Sequence, residues 1–185
     1  MDKRQLRQQI RARRRALNNR EKQLAAQRLA RRMATEPRLQ RARRVGLYLP
    51  NDGEIDPRPG LLNGNRQRQL YLPILDPINP GRLGFAGWQK NQPLRSNRFG
   101  IPEPQLTTRR LAALWSLDVL IMPLVAFDSR GGRLGMGGGF YDRTLAGWRR
   151  WPRRPVLVGV GYRFQQVESL PLDPWDIPLD LLLSD

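Results

Sequence analysis

A glycine-rich segment between two arginines is the part of the chain best suited to bind an anion. Residues 133–143 read Arg-Leu-Gly-Met-Gly-Gly-Gly-Phe-Tyr-Asp-Arg, with glycine at four of the five positions 135–139. Glycine has no Cβ, so the backbone N–H groups of this segment can approach a phosphate closely. Arg133 and Arg143 add positive charge at the two ends, and Asp142 offers a carboxylate oxygen of the kind that Mg²⁺ binds. The segment therefore predicts a phosphate-binding loop, here called the glycine-rich loop.

This loop matches neither of two common nucleotide-binding motifs. The P-loop string G-x-x-x-x-G-K-[ST] is absent, and the dinucleotide string G-x-G-x-x-G fails because Phe140 stands where the third glycine belongs. A flexible surface loop is the alternative for a glycine cluster. The flanking Arg133, Tyr141 and Asp142 favour a binding site, because a spacer does not require charged residues at fixed positions.

The composition restricts the chemistry that the chain can perform. Its 185 residues fit one domain with a sizeable core, so we expect a single domain over residues 1–185. The sequence contains no cysteine and no histidine, which excludes disulfides, Cys/His zinc sites and a Ser-His-Asp triad. Carboxylates, cations, backbone amides and a hard metal ion remain, and this set favours phosphoryl transfer.

Hydropathy predicts a soluble, cytoplasmic protein with no membrane contact. The chain has no run of about 18 apolar residues, and its N-terminus lacks the apolar region of a secretory signal. A mitochondrial transit peptide is the alternative for this arginine-rich end. The apolar positions within residues 3–33 favour a packed segment instead.

The positive charge is concentrated near the N-terminus. Of the net charge of +17, residues 1–44 contribute +13, with 14 Arg and 2 Lys against 3 acidic residues. Such a segment could bind RNA through its phosphates, but no RNA-binding motif accompanies it. With 30 Arg and 3 Lys in the chain, the excess also fits a compositional preference for arginine that attracts anionic small molecules.

Hydrophobic spacing predicts helices that alternate with short strands. Leu6, Ile10 and Leu17 follow one helical stripe. Asn18 with Glu21 marks the cap of a second helix, which extends to about Met33 before Pro37 ends the pattern. Further strands are predicted at residues 45–49, at 70–75 with an interruption at Pro73, at 83–88, from Val119 onward, and at 156–160. Helical turns are predicted near Leu61 and at 111–115, and a helix at 141–148. Residues 89–104 are predicted to be irregular.

This alternation predicts an α/β fold with a mainly parallel, Rossmann-like sheet flanked by helices. Ligands of such sheets bind beyond the carboxyl ends of the strands. The glycine-rich loop follows the apolar residues 119–127 and precedes the predicted helix at 141–148. We therefore expect it at a helix N-terminus, where the helix dipole favours phosphate.

Separated strings extend this pattern along the whole chain. They are Lys-Arg-Gln-Leu-Arg at residues 3–7, Tyr-Leu-Pro at 48–50 with Glu-Ile-Asp at 54–56, Phe-Gly-Ile-Pro-Glu-Pro at 99–104, the apolar strand into residues 133–143, and the tail from Gln165 through Pro171 to Asp176. Together they resemble the 5-formyltetrahydrofolate cyclo-ligase family, also called methenyltetrahydrofolate synthetases. The glycine-rich loop is the specific string, and the others are weak alone.

The resemblance implies an ATP- and magnesium-dependent cyclisation of 5-formyltetrahydrofolate to 5,10-methenyltetrahydrofolate, with release of ADP and phosphate. In that family the formyl oxygen attacks the γ-phosphate of ATP, and N10 then attacks the carbon of the phosphorylated intermediate. ATP and Mg²⁺ are the implied cofactors. The implied partner is 5-formyltetrahydrofolate, with or without a polyglutamate tail.

The resemblance also implies roles for individual residues. Arg133 and Asp142 would be catalytic, and Asp142 and Asp176 would bind magnesium. The implied ATP-binding residues are Lys3, Arg4, Gln5, Leu6, Arg7, Arg133, Leu134, Gly135, Met136, Gly137, Gly138, Gly139, Phe140 and Tyr141. The implied folate-binding residues are Tyr48, Leu49, Glu54, Met136 and Phe140, where Glu54 would accept N–H bonds from the pterin.

Two positions depart from the family pattern, and two other functions remain open. Phe140 stands where the family often has tyrosine, and Gly138 where a basic residue can occur. One alternative is an RNA-binding protein whose glycine-rich loop is a non-enzymatic anion site. The other is a family member that kept the ATP site but acts on another substrate. Glu54 and Phe140 discriminate here, because they should recognise the pterin.

Overall fold

The structure, a computed structural model, describes residues 2–62, 67–105 and 111–185. The helices in these ranges are α1 (Lys3–Ala16), α2 (Asn19–Thr35), α3 (Pro37–Arg41), α4 (Pro59–Leu62) and α5 (Phe140–Thr144). The strands are β1 (Arg44–Gly46), β2 (Gln69–Leu75), β3 (Leu83–Trp88), β4 (Leu94–Ser96), β5 (Pro102–Pro104), β6 (Val119–Met122), β7 (Ala126–Phe127), β8 (Arg133–Leu134), β9 (Val156–Gly161) and β10 (Leu181–Ser184).

One mixed sheet forms the centre of the fold, with strands in the order β10-β9-β6-β1-β2-β3. Neighbouring strands run parallel from β10 to β2, and β3 pairs antiparallel with β2 at the edge. All four residues of β6 and five of the six in β9 are buried. Strands buried on both faces carry uninterrupted apolar runs, which is why spacing found them. The predicted α/β class with a mainly parallel sheet is confirmed.

Apolar clusters cover both faces of this sheet. Val119 and Ile121 of β6 pack with side chains of α2, α3 and α4. Leu120 and Met122 belong to a second cluster that includes Leu145, directly after α5. Because successive side chains of a strand point to opposite faces, this alternation places helices on both sides of the sheet.

Helix α1 packs away from these two clusters and carries the N-terminal string to the glycine-rich loop. It begins at a capping box formed by Asp2 and Gln5. Leu6 and Ile10 are buried in a third cluster with Leu134 of β8. Since the glycine-rich loop follows β8, this packing holds α1 beside the loop. The predicted helical stripe is confirmed here.

Helix α2 has the predicted start and a longer end. Asn18 and Glu21 form the expected capping box, and Leu29 lies on the buried face of the helix. The helix continues to Thr35, and Pro37 begins α3 instead of ending the helical region. Proline fits the first turn of a helix because its missing N–H would have no intrahelical partner there.

The helix after the glycine-rich loop is shorter than the predicted helix at 141–148. It ends at Thr144, and Gly147 then adopts a left-handed conformation with φ of 78° before a separate 3₁₀ turn at Trp148–Arg150. A five-residue helix has a small dipole. Anion binding by the loop must therefore depend on backbone N–H groups and nearby cations rather than on a helix N-terminus.

Part of the segment predicted to be irregular forms a hairpin of β4 and β5. Glu103 of β5 accepts hydrogen bonds of 3.1 Å from the backbone N of Leu75 and from Nδ2 of Asn97. These bonds fasten the hairpin to the end of β2. Strands of three residues carry too little hydrophobic pattern to be recognised, so tertiary hydrogen bonds decide this element.

Strand β2 continues through Pro73, where the sequence predicted an interruption. The carbonyl oxygen of Tyr71 accepts a hydrogen bond of 2.9 Å from Leu47 N, so the backbone N–H and C=O groups of Tyr71 face β1. The backbone groups of Pro73, two residues further along the strand, face the same side. Pairing with β1 ends at Tyr71. The missing N–H of Pro73 therefore costs no hydrogen bond to β1.

Three smaller differences concern extent. The strand predicted at 45–49 is the shorter β1, and the helical turn predicted at 111–115 is a 3₁₀ turn at Leu114–Ser116. Strand β10 was not predicted. It carries three consecutive leucines and is partly exposed along its length.

Candidate active site

A cleft of about 1270 Å³ opens at the carboxyl end of the parallel strands. Its walls come from α1, the residues after β1 and β6, the β4–β5 hairpin, the glycine-rich loop and residues 173–178. Open sheets of this class bind ligands at this edge. The structure thus brings segments from both ends of the chain to the position predicted for the ligand.

Most of the predicted site residues line this cleft together. From α1, Lys3 and Arg7 lie on the cleft wall, one helical turn apart, whereas Arg4, Gln5 and Leu6 do not. Leu6 is buried in the core, and the side chain of Gln5 accepts a hydrogen bond from the N-terminal cap. The other predicted residues on the cleft wall are Tyr48, Leu49, Glu54, Arg133, Leu134, Gly135, Met136, Gly137, Gly138, Gly139, Phe140, Tyr141, Asp142 and Asp176.

The glycine-rich loop is held by arginines that bind its carbonyl groups. Arg7 Nε donates to Gly135 O at 2.9 Å, and Arg143 Nη2 donates to Gly138 O at 2.6 Å. Gly137 and Gly139 have φ of 97° and 61°, a region that favours glycine. The N–H groups of residues 136–139 have no hydrogen-bond partner within the described ranges. Consecutive free N–H groups beside arginines are the geometry of an anion site.

Arg133 places a buried cation next to these N–H groups. Its side chain is 5% exposed, and Nη2 donates to Asp142 Oδ1 at 2.6 Å. A Cβ added at Gly135 would lie 3.2 Å from Arg133 Nη1, so the guanidinium lies against the loop backbone. Its Nε is buried and has no partner in the described part of the chain. The Arg133 side chain lines the cleft, so its charge is available to an anionic ligand.

The two predicted magnesium ligands lie in one wall of the cleft. Asp142 Oδ1 accepts from Ile177 N at 3.4 Å, which brings it to the segment that carries Asp176. Asp176 Oδ2 lies 3.3 Å from Lys3 Nζ, and Asp173 Oδ2 lies 2.6 Å from the same atom. The hydrogen bond to Asp173 raises the pKa of Lys3. Asp142 does not cap α5, whose N-terminal cap is Gly139.

Among residues 2–62, 67–105 and 111–185, no three carboxylates gather into a complete metal site. Magnesium seldom needs one, because it is usually held by one or two carboxylates together with water and substrate phosphates. The pair of Asp142 and Asp176 fits that pattern. Oxygen ligands alone are present, as the absence of cysteine and histidine requires.

Glu54 lies on the cleft wall in a buried loop after β1. Its Oε2 accepts from Asn51 N at 3.0 Å, and its side chain is 9% exposed. Burial raises the pKa of Glu54 to about 7, against the opposing effects of the Asn51 N–H and of Arg14. Its Oε1 accepts no hydrogen bond from the described residues, so it can accept one from a ligand.

Spacing did not identify Arg14 and Asp52 as site residues. Arg14 is fully buried, and its Nη2 donates to Asp52 Oδ2 at 2.7 Å beside Glu54. The sequence did contain a signal for Arg14. It continues the buried stripe of Leu6 and Ile10 at intervals of four residues, so a helical wheel places it on the buried face.

The β4–β5 hairpin contributes an aromatic residue to which the sequence assigned no role. Phe99 lies near the hairpin tip and lines the cleft, and its ring meets that of Phe140 edge to face, with 5.7 Å between centroids. Phe140 therefore forms part of an aromatic wall without a tyrosine hydroxyl. Phe99 belongs to the string at residues 99–104. That string was part of the family resemblance, but it gave no indication that Phe99 lies in the cleft.

The arginine-rich N-terminal segment is partly neutralised within the molecule. Arg11 and Arg14 both pair with Asp52, and Arg28 pairs with Asp185 at 2.6 Å. These contacts use basic residues for intramolecular ion pairs.

No helix within the described ranges has the length and apolar character needed to span a membrane.

Comparison with known proteins shows the family to which this chain belongs. A profile of the 5-formyltetrahydrofolate cyclo-ligase family matches residues 1–185. The chain belongs to the 5-formyltetrahydrofolate cyclo-ligase family. It is 45% identical over 176 residues to the protein of that name from Escherichia coli (strain K12), covering 95% of this chain and 96% of that protein. The Haemophilus influenzae cyclo-ligase is 43% identical over 145 residues, covering 77% of this chain and 76% of its own.

Solved structures of cyclo-ligases, titled 5,10-methenyltetrahydrofolate synthetases, share the fold. The Aquifex aeolicus protein superposes with a TM-score of 0.81 at 31% identity, covering 99% of this chain and 89% of that one. The Mycoplasma pneumoniae protein has a TM-score of 0.74 at 25% identity, covering 100% and 99%. The predicted family, fold and ligase class are confirmed by these similarities.

Proposed function

We propose that this protein cyclises 5-formyltetrahydrofolate to 5,10-methenyltetrahydrofolate, consuming ATP and releasing ADP and phosphate. The observation that carries the proposal is the shared cleft, whose walls hold the free N–H groups, Arg133 and the buried Glu54 carboxylate. The names of the relatives support the same reaction. Phosphoryl transfer requires such joint alignment of donor and acceptor.

On the ATP side, the N–H groups of residues 136–139 and the guanidinium of Arg133 would bind the γ-phosphate. Arg7 and Lys3 add positive charge along the same wall. Donors that are fixed before the reaction stabilise the charge that develops during phosphoryl transfer more than water does. The hydrogen bonds of Arg7 and Arg143 to loop carbonyls keep those donors in place.

The carboxylates of Asp142 and Asp176 would hold Mg²⁺ together with phosphate oxygens. Bound there, the ion would neutralise negative charge on the phosphates. In this structure, Asp142 pairs with Arg133 and Asp176 pairs with Lys3.

On the folate side, Glu54 would accept N–H bonds from the pterin through its free Oε1. Tyr48 and Leu49 follow β1 on the same wall, and the Tyr48 hydroxyl is already satisfied by Ile55 O at 2.7 Å. Phe99 and Phe140 would provide apolar contact for the rings of the folate. A small number of polar groups in a mainly apolar cleft is typical of cofactor-sized ligands.

The proposed chemistry has two steps. The formyl oxygen attacks the γ-phosphorus, the bond to the β-phosphate oxygen breaks, and ADP leaves. N10 then attacks the activated carbon and loses its proton to solvent, and the carbon–oxygen bond breaks to release phosphate with its bonding electrons. Phosphorylation is needed because an unmodified formyl oxygen is a poor leaving group.

The direct test is to measure ADP and methenyl product together. With ATP, magnesium and 5-formyltetrahydrofolate, we expect the two products in a one-to-one ratio, because the formyl oxygen is the phosphoryl acceptor. Without folate we expect no ADP. ADP release that is independent of folate, or salt-sensitive RNA binding with no turnover, would overturn the proposal.

Asp142→Asn should raise the magnesium concentration needed for activity by about 10-fold or more, the effect seen even for residues that only support a metal ligand. The amide oxygen can still accept from Arg133 and Ile177, so the fold should persist. Titrating magnesium in the turnover assay measures the change. Glu168→Gln, at an exposed carboxylate outside the cleft, is the matched control. An unchanged magnesium requirement would remove Asp142 from the metal site.

A further inference from the structure

Helix α1 buries a charged residue where its periodicity would place an apolar one. Leu6, Ile10 and Arg14 occupy successive turns of one face, and Arg14 is 0% exposed. Arginine is almost never fully buried unless its charge and donors are paired. The partners of Arg14 therefore indicate why a cation is retained at this position.

Those partners come from three separate segments of the chain. Arg14 Nε donates to Asp52 O at 3.1 Å, and Nη1 donates to Leu124 O at 3.3 Å, directly after β6. Nη1 also lies 3.9 Å from Glu54 Oε1, and Nη2 lies 3.8 Å from Met136 Sδ in the glycine-rich loop. The planar, multi-donor head group of arginine suits such a junction, which an ammonium could not satisfy in full.

We propose that Arg14 is a positioning residue, which holds the Asp52–Glu54 loop in place and sets its positive charge beside the Glu54 carboxylate that would bind the pterin. This inference rests on the proposed function. It assigns to α1 a second task, because the same helix carries Arg7 to the glycine-rich loop. Arg14 itself would not contact the reacting atoms.

Neighbouring arginines do not share this task. Arg11 and Arg15 also pair with Asp52, but their side chains are 34% and 55% exposed, and neither contacts Glu54. Ion pairs at exposed positions contribute little. Arg15 is therefore a matched control, since it shares an acidic partner with Arg14 but does not reach the carboxylate proposed to bind folate.

The charges around Glu54 predict the direction of the effect. Arg14 lowers the pKa of Glu54, whereas burial and the neighbouring Asp52 raise it. The phenol groups of Tyr48, Tyr141 and Tyr162 also face this carboxylate. Loss of the arginine should raise the pKa of Glu54 further, so that folate binding requires a higher pH.

The experiment is calorimetric titration of 5-formyltetrahydrofolate across neutral pH, which needs no turnover. For Arg14→Gln we expect the midpoint of the affinity-against-pH curve to rise by about one pH unit or more, the effect of losing an opposite charge at close range. Arg14→Lys should return the midpoint towards wild type while leaving the affinity reduced. Arg15→Gln should leave the midpoint unchanged. Binding of a non-hydrolysable ATP analogue with magnesium should also be unchanged.

A second variant keeps the test decisive if Arg14→Gln does not fold. Asp52→Asn removes the acidic neighbour and leaves Arg14, so the midpoint should move down instead of up. Equal midpoints in wild type, Arg14→Gln and Asp52→Asn would overturn the role of Arg14 and leave the proposed function intact. Failure of the wild-type protein to bind 5-formyltetrahydrofolate at any pH would overturn both.

Discussion

Arg133→Ala is expected to slow folate-dependent ADP release by about 10²-fold or more, as for the loss of one preorganised donor at a developing charge. The guanidinium is almost fully buried against Gly135, and its Nε has no partner among the described residues. It should therefore bind the phosphoryl group more strongly as charge develops than in the ground state. Steady-state ADP release at saturating ATP and folate measures the effect.

The control for this variant is Arg130→Ala, which removes an arginine of the same chain segment. Arg130 is exposed, lies outside the cleft and pairs with Asp128 at 3.5 Å. We expect its turnover to remain near that of wild type. Circular dichroism should report a folded Arg133→Ala protein. A folded variant with wild-type turnover would exclude Arg133 from the reaction.

Glu54→Gln should weaken 5-formyltetrahydrofolate binding by about 1 to 3 kcal/mol, roughly 5- to 150-fold, because a neutral amide replaces a charged acceptor. Binding of the wild-type protein should weaken as the pH falls below about 7, since burial raises the pKa of Glu54 to about 7. The variant should lose this pH dependence. Calorimetry with folate, and separately with a non-hydrolysable ATP analogue, distinguishes the two sites.

The stability of the same variant separates lost binding from lost folding. The pKa of Glu54 is raised from 4.5 to about 7, so in this range the folded protein keeps a proton that the unfolded chain releases. Wild-type stability should therefore fall as the pH rises through this window and stay lower above it. At about pH 8, Glu54→Gln should be more stable by on the order of 2 kcal/mol in urea unfolding. A less stable variant at that pH would contradict this account of Glu54.

Elements fixed by local interactions were predicted from the sequence. The bounds of β3 agree with the predicted residues 83–88, and the cap of α2 is the expected pair of Asn18 and Glu21. Capping boxes join residues three positions apart, and strands buried on both faces carry an apolar run, so both leave a local signal. The glycine-rich loop is similar, because the left-handed conformations of Gly137 and Gly139 suit the residue type itself.

Elements fixed by distant partners were not predicted. The β4–β5 hairpin is fastened to β2 by Glu103, and β10 adds to the sheet beside β9. The helix predicted at 141–148 ends at Thr144, whose hydroxyl accepts from Leu83 N at 2.8 Å while donating to Phe140 O. The bonds from Leu75 to Glu103 and from Leu83 to Thr144 join residues that are far apart in sequence, so spacing carries no signal for them.

The sequence by itself determined which chemistry was available and which loop we propose to bind phosphate. The absence of cysteine and histidine, the glycine-rich loop and the arginines beside it are properties of residue type and order. Only the tertiary structure decided how Glu54 behaves. Its raised pKa arises from burial, which the charge of Arg14, 40 residues earlier in the chain, only partly offsets, and no local pattern encodes the desolvation of a carboxylate.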